Sequence, residues 1–147
     1  DGRAHGQGTQ TRANGDTYVG DYQYGKMHGH GKYTKANGNV YVGSYQNGTW
    51  HGHGKFRNII RGETYVGEYQ DGRAHGQGTQ TRANGDTYVG DYQYGKMHGH
   101  GKYTKANGNV YVGSYQNGTW HGHGKFRNII RGETYVGEYQ DGRAHGQ

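Results

Sequence analysis

Residues 1–70 recur without one change as residues 71–140, and residues 141–147, DGRAHGQ, repeat the opening of that unit once more. A chain that copies itself is read first as a repeat architecture, because each unit must bury its apolar face against a neighbour like itself. Inside the unit lies a finer period. Segments opening YVGDYQYGKMHGHG at Tyr18, YVGSYQNGTWHGHG at Tyr41 and YVGEYQDGRAHGQG at Tyr65 follow one template of 23, 24 and 23 residues. The second copies start at Tyr88, Tyr111 and, truncated, Tyr135. The expected organisation is one continuous array over residues 1–147: identical units 1–70 and 71–140, then a partial third copy, 141–147. Exposed positions drift when nothing constrains them, so an unaltered copy points to a designed or reassembled array; a very recent duplication, or part of a filament subunit, is the alternative.

Each template reads as two strands and two turns. Side chains alternate along a strand, so Tyr18, Gly20 and Tyr22 share one face while Val19, Asp21 and Gln23 share the other. Tyr24-Gly25, Asn47-Gly48 and Asp71-Gly72 follow, residue pairs that tolerate positive φ and let the chain reverse. The second strand is expected from about Gly29 to Ala36, with Gly29, Gly31 and Tyr33 on one face and His30, Lys32 and Thr34 on the other. Asn37-Gly38 and Asn84-Gly85 turn it back. The middle template carries its extra residue in Arg57-Asn58-Ile59-Ile60-Arg61-Gly62-Glu63, without Asn-Gly, which predicts a longer turn or a bulge. The fold class is therefore all-β: an elongated single antiparallel sheet of successive β-hairpins. About twelve strands at ~4.8 Å each make it roughly 55–60 Å long.

Such a sheet has little to form a conventional core. Only 28% of residues are hydrophobic, and the aliphatic ones are essentially the Val of each YVG with Ile59, Ile60 and their copies, so burial falls to the 16 tyrosines. First strands recur at every second position, which puts Tyr18 and Tyr41 ~9.6 Å apart, beyond ring contact. Gly29 and Gly31 on the strand between have no side chains, so the flanking tyrosines can lean over bare backbone, with Tyr33 or Phe56 completing the layer. The third template has Gln80 at the Phe56 position, which should make that layer the weakest. The aromatic set of the face is Tyr18, Tyr22, Tyr33, Tyr41, Tyr45, Phe56, Tyr65, Tyr69, Tyr88, Tyr92, Tyr103, Tyr111, Tyr115, Phe126, Tyr135 and Tyr139. Its structural glycines are Gly20, Gly29, Gly31, Gly43, Gly52, Gly54, Gly67, Gly76 and Gly78.

The pattern Y-x-G-x-Y-x-x-G-x-x-x-G-x-G at a 23-residue period resembles the MORN repeat (membrane occupation and recognition nexus), with Tyr22, Tyr45 and Tyr69 where the family usually carries Trp. Aromatics and glycines match in spacing over six consecutive occurrences, covering the whole chain with half repeats at both ends. Choline- or glucan-binding hairpin repeats are of similar length, but their Trp-Tyr-Tyr clusters are absent here. The resemblance implies a rod of hairpins, often curled into a groove lined by the aromatic face, that acts as a scaffold, a dimerisation unit, a groove for a partner peptide or helix, or a contact for phosphoinositide membranes. It implies no catalysis and a cytoplasmic setting.

The residues themselves offer few sites. His28/His30, His51/His53, His98/His100 and His121/His123 are His-Gly-His pairs whose members would point the same way on a strand, two ligands for a Zn²⁺, Ni²⁺ or Cu²⁺. Pairs in adjacent repeats would lie ~9.6 Å apart, too far for four ligands to converge, so no metal site is expected. Lys32, His53, Lys55 and Arg57 project opposite the tyrosines and should pair with Asp21 and Glu68 across strands. A net charge of +6 spread along the chain permits an anionic lipid partner, while nucleic acid is not expected because the tyrosine faces are taken by glycine. Trp50 and Trp120, at the template position of Met27 and Met97, should stand at hairpin tips, where they could anchor a partner but are expected to pack on the next turn. No nucleophile stands with a base in a definable pocket, so neither enzymatic activity nor a cofactor is expected. The chain has no cysteine and no apolar run near the length of a signal segment or membrane span, and reads as a soluble piece.

The two ends suggest a partner. The sequence opens with a second strand, Gly6 to Ala13, and closes with a first strand, Tyr135 to Gln140, which are halves of one hairpin. Unprotected strand edges invite strand addition, so head-to-tail self-association is the first functional expectation. A peptide or helix in the aromatic groove and an anionic membrane are the alternatives.

Overall fold

A computed structural model describes residues 5–145. The chain divides into two compact units, Asp1–Arg73 and Ala74–Gln147. The fold is all-β, with no helix among the described residues, and in each unit successive hairpins form an antiparallel sheet in sequence order that does not close into a barrel. The first unit carries β1 (Gly6–Thr11), β2 (Thr17–Gln23), β3 (Lys26–Thr34), β4 (Val40–Gln46), β5 (Thr49–Asn58) and β6 (Glu63–Gln70). β7 (Arg73–Thr81) opens the second, followed by β8 (Thr87–Gln93), β9 (Lys96–Thr104), β10 (Val110–Gln116), β11 (Thr119–Asn128), β12 (Glu133–Gln140) and the short β13 (Arg143–His145).

Two-residue turns close each hairpin at one end. Tyr24 and Gly25 have φ of 52° and 78°, Asn47 and Gly48 51° and 88°. Both central residues are left-handed, as a tight turn between right-twisted strands demands. The Gly48 amide donates to the Met27 carbonyl at 2.9 Å and the Gly72 amide to the Trp50 carbonyl at 2.8 Å, so each turn is tied to the hairpin before it.

Longer turns connect hairpins at the other end, and side chains lock them together. Asp16 accepts hydrogen bonds from the Tyr33 hydroxyl at 2.6 Å and the Ala36 amide at 2.7 Å. Asn39, only 6% exposed, accepts from the Ile59 amide at 2.9 Å. The Asn58↔Glu63 pairing leaves residues 59–62 as the longer turn of the middle repeat, and the Ile59 side chain packs on Gly38.

The second strands begin earlier than the sequence suggested, at Lys26 and Thr49, directly after the turn. The reason is a bulge. In register, Gly20 faces Gly31 and Tyr22 faces Met27, so the segment from Met27 to Gly31 holds two more residues than the strand opposite. Gly29 absorbs the excess at φ 78°.

The buried layer is aromatic. Tyr18, Tyr41, Tyr88 and Tyr111 are 1% exposed or less. Tyr18 reaches along the face to Gly31, where an added Cβ would stand 2.5 Å from Tyr18 Cζ; at Gly54 it would stand 2.6 Å from Tyr41 Cε2. The Tyr18 hydroxyl is satisfied by donating to the Asp21 carbonyl at 2.8 Å, and Tyr41 donates in the same way to Ser44. Tyr45 fills the space between repeats, edge-on to Tyr18 at 5.2 Å and to Tyr41 at 5.3 Å. Such edge-to-face pairs contribute about 0.5–1.5 kcal/mol beyond the area they bury. Gly29 does not lie beneath a tyrosine; its bare Cα makes room for the Asp21 carboxylate, which accepts from the His30 amide at 3.1 Å.

Candidate functional site

The ring layer is open on one side of Tyr33. In the first unit, Arg12, Met27, Tyr33, Lys35, Gly48 and Trp50 line a cleft of about 270 Å³. In the second, Arg82, Met97, Tyr103, Lys105, Gly118 and Trp120 recur 70 residues on, and with Tyr115, Thr119 and Gly142 they line a cleft of about 360 Å³. The register places these side chains. Met27 stands opposite Tyr22 and Trp50 opposite Tyr45, so both face the ring layer. Tyr33 stands opposite Tyr18 and is fixed by its hydrogen bond to Asp16. Arg12 and Lys35 come from the turns after β1 and β3.

Trp50, just after the Asn47-Gly48 turn, is packed as expected, but on a ring of the inner face and not on the next turn. It lies flat on Tyr41 with ring centroids 4.3 Å apart and planes within 3°. Because the strand starts at Thr49, its indole falls on the inner face, half-buried. Trp120 stacks on Tyr111 in the same way at 4.3 Å. The two cations sit over rings: the Arg12 guanidinium 5.6 Å above Tyr33, and Lys35 Nζ 5.7 Å from both Trp50 and Phe56. The second unit repeats this with Arg82 over Tyr103 and Lys105 over Trp120 and Phe126. A cation over a ring face gains about 0.5–1 kcal/mol when exposed and more when desolvated.

Among the described residues Tyr45 Oη, Tyr115 Oη and Arg82 Nε are shut off from solvent with no hydrogen-bond partner; Tyr115 and Arg82 line the second cleft, whereas Tyr45 is not part of the first cleft's wall. Burial pushes the Tyr45 and Tyr115 hydroxyls far above the usual phenol range, so both stay protonated; the neighbouring Trp50 and Trp120 indoles oppose this to a smaller extent without completing a hydrogen bond. The carboxylates beside the clefts, Asp16 and Asp86, serve first the wall tyrosines and a turn amide, with a smaller attraction to Lys35 and Arg82. The Tyr33 hydroxyl, then the Ala36 amide, hold Asp16 below its ordinary value, and Tyr103 leads the same effect at Asp86. The site can therefore stack a ring or an aliphatic chain against indole and phenol while offering two cations to an anion.

The other sequence candidates separate in space. The His-Gly-His pairs do not present two aligned ligands as regular alternation would have them. Gly29, Gly52, Gly99 and Gly122 sit between the paired histidines at φ of 78°, 84°, 81° and 84°, and each such bulge breaks the alternation. Within every pair the first ring, at His28, His51, His98 and His121, is half-buried, while the second, at His30, His53, His100 and His123, is exposed. The backbone amide of His100 donates to the Asp91 carboxylate at 3.2 Å, as that of His30 does to Asp21, so the bulge at these two pairs serves an aspartate. His53 lies with Nδ1 3.1 Å from Glu68 Oε2, and His123 stands likewise to Glu138. Among the described residues no three metal-ligating side chains gather.

Lys32 and Lys55 do not pair with carboxylates across strands: the register sets Lys32 between Val19 and Val42, and Lys55 between Val42 and Val66, on the solvent face. Gln80 takes a hydrogen bond from the Tyr92 hydroxyl at 3.2 Å in place of the ring that Phe56 supplies. Arg12, Lys35 and Met27 were not among the sequence candidates. Their signal was the shared template position of Met27 and Trp50, with a basic residue just beyond Tyr33.

Hairpins tied turn to turn around a tyrosine-over-glycine layer define a β-repeat protein. The MORN repeat profile matches residues 1–17, 18–40, 41–58, 65–87, 88–110, 111–128 and 135–147, and the chain belongs to the MORN repeat family. The family is generally non-catalytic and supports a repeat scaffold or binding module. A comparison with curated proteins finds no match. No helix among the described residues is long and apolar enough to cross a membrane.

Proposed function

We propose that this chain is a non-enzymatic scaffold that binds a peptide or helix of a partner protein on its aromatic face. The observation that supports this reading is the recurrence of one cleft, lined by the same six residues, in both units. Concave, mostly apolar walls with a few convergent polar groups are what ligand sites are made of. The fully buried tyrosines are committed to the fold, which leaves Trp50, Tyr33 and Met27, all half-buried, to meet a partner.

Selection of a random peptide library on the full chain, followed by hydrogen exchange of the chain with its best binder, tests the reading. Protection confined to β3, β5, β9 and β11 with binding lost on Tyr33→Ala and Tyr103→Ala is the expected result. An empty selection, or protection of the Val19 face, contradicts it. Two rival readings give other outcomes. Head-to-tail association through strand edges raises the scattering mass with concentration in the absence of peptide. Attachment to an anionic membrane gives salt-sensitive co-sedimentation with phosphoinositide vesicles.

A further inference from the structure

Resting on the groove reading above, we propose that the Arg12–Lys35 and Arg82–Lys105 clefts are carboxylate sites, and that the partner is an acidic peptide whose Asp or Glu side chains enter them. Charge complementarity carries this. Each cleft draws two cations from separate turns onto one set of rings, and its wall contains no carboxylate. Asp16, beside the first cleft, serves the Tyr33 hydroxyl and the Ala36 amide first, and its attraction to Lys35 is the smallest of the influences on it, which leaves Arg12 and most of the Lys35 charge for a ligand. Asp86 serves Tyr103 and Ala106 in the same way.

The second cleft also holds two unanswered donors. Tyr115, 3% exposed, lines the wall with a protonated hydroxyl that meets no acceptor, and Arg82 Nε is equally unmet. A buried donor without a partner is unfavourable, and an acceptor that reaches it relieves that cost. A carboxylate has two oxygens and about four lone-pair sites, enough to engage a guanidinium in bidentate fashion and still accept from a hydroxyl or an ammonium. Met97 and Trp120 then take its aliphatic stem.

A peptide fits better than a lipid surface. Lys35, Lys105 and Arg82 are half-buried against rings and Arg12, though exposed, lies over Tyr33, whereas Lys32, Lys55, Lys102 and Lys125 stand exposed on the opposite face, where a flat anionic surface would meet them first.

Trp50 and Trp120 are the two tryptophans of the chain and both line the clefts, so intrinsic emission reports binding directly. The full chain is titrated with a synthetic helical peptide of Glu and Leu, with the same peptide carrying Gln for Glu, and with phosphatidylcholine vesicles containing a phosphoinositide. The expected result is at least about tenfold tighter binding of the acidic peptide, weakening with salt, while the neutral peptide is indifferent to salt. The combined variant Arg12→Gln, Lys35→Gln, Arg82→Gln, Lys105→Gln should lose that preference. The variant Lys32→Gln, Lys55→Gln, Lys102→Gln, Lys125→Gln, which removes the same charge from the outer face, should keep it. Equal, salt-independent affinity for both peptides overturns the carboxylate assignment and leaves the groove reading standing. No response to either peptide overturns both. Binding to vesicles alone, abolished by the outer-face variant, assigns the charge to a membrane instead. Where the cleft variant fails to fold, the outer-face variant decides: an acidic preference that it keeps assigns the charge to the clefts, and one that it loses overturns the assignment.

Discussion

Tyr18 lies along the face of its sheet so that its ring covers the Cα of Gly31, leaving no room there for a methyl group. Gly31 has an ordinary φ, so the demand for glycine is steric and not conformational. Gly31→Ala and its copy Gly101→Ala should therefore each destabilise the chain by about 1–3 kcal/mol through overpacking. Val19→Ala, on the exposed face, should change stability by less than about 0.5 kcal/mol. Urea denaturation of the three variants checks this, and equal effects at Gly31 and Val19 would remove the tyrosine-over-glycine layer from the account.

Those same tyrosines set the alkaline limit. Burial pushes Tyr18, Tyr65 and Tyr111 up to about 12 from the ordinary 10.0, with the negative charge of Asp21 or Glu68 adding to it at Tyr18 and Tyr65. Between these values the unfolded chain releases the phenolic proton first and binds fewer protons than the folded one, so stability falls as pH rises. It should be intact below pH 10 and lost towards pH 12 in one step, with the phenolate absorbance and the β-sheet circular dichroism changing together. A phenolate titration complete near pH 10 with the sheet intact would contradict it.

On the acid side the sign reverses. Asp16 and Asp86 are held below 3.8 by the Tyr33 and Tyr103 hydroxyls, so they stabilise the folded chain above that value and cease to do so as pH falls through their lower folded values. Tyr33→Phe with Tyr103→Phe should shift the acid unfolding midpoint upwards, measured by circular dichroism.

Asn39 joins two turns by a single buried acceptor. Asn39→Ala leaves the Ile59 amide unmet and should cost about 1–3 kcal/mol, whereas Asn39→Asp keeps the oxygen and should restore much of it. Thermal melts of the two variants and Asn109→Ala provide the comparison.

The hairpin period, the turns at Asn47-Gly48 and its counterparts, and the covering of Gly31 by Tyr18 were legible in the sequence because they depend on alternation and on residues with one structural use. The bulge at Gly29 was not, since a glycine between two histidines looks the same in a regular strand as in a left-handed kink. That one difference moved the strand start, took His30 and His100 out of line with His28 and His98, and carried Trp50 from a tip to the ring face. The cleft was hidden for a second reason: Arg12 and Lys35 lie in turns, and nothing in their spacing shows that both fold back over Tyr33 and Trp50.

The central claim is that one ring-covered face both holds the fold and receives the partner. Nuclear magnetic resonance of the full chain with the acidic Glu–Leu peptide tests it most directly. The account predicts saturable shifts of the indole N–H signals of Trp50 and Trp120 with the methyl signals of Val19, Val42 and Val66 unmoved. Shifts of those valine methyls with both indoles unmoved would contradict it.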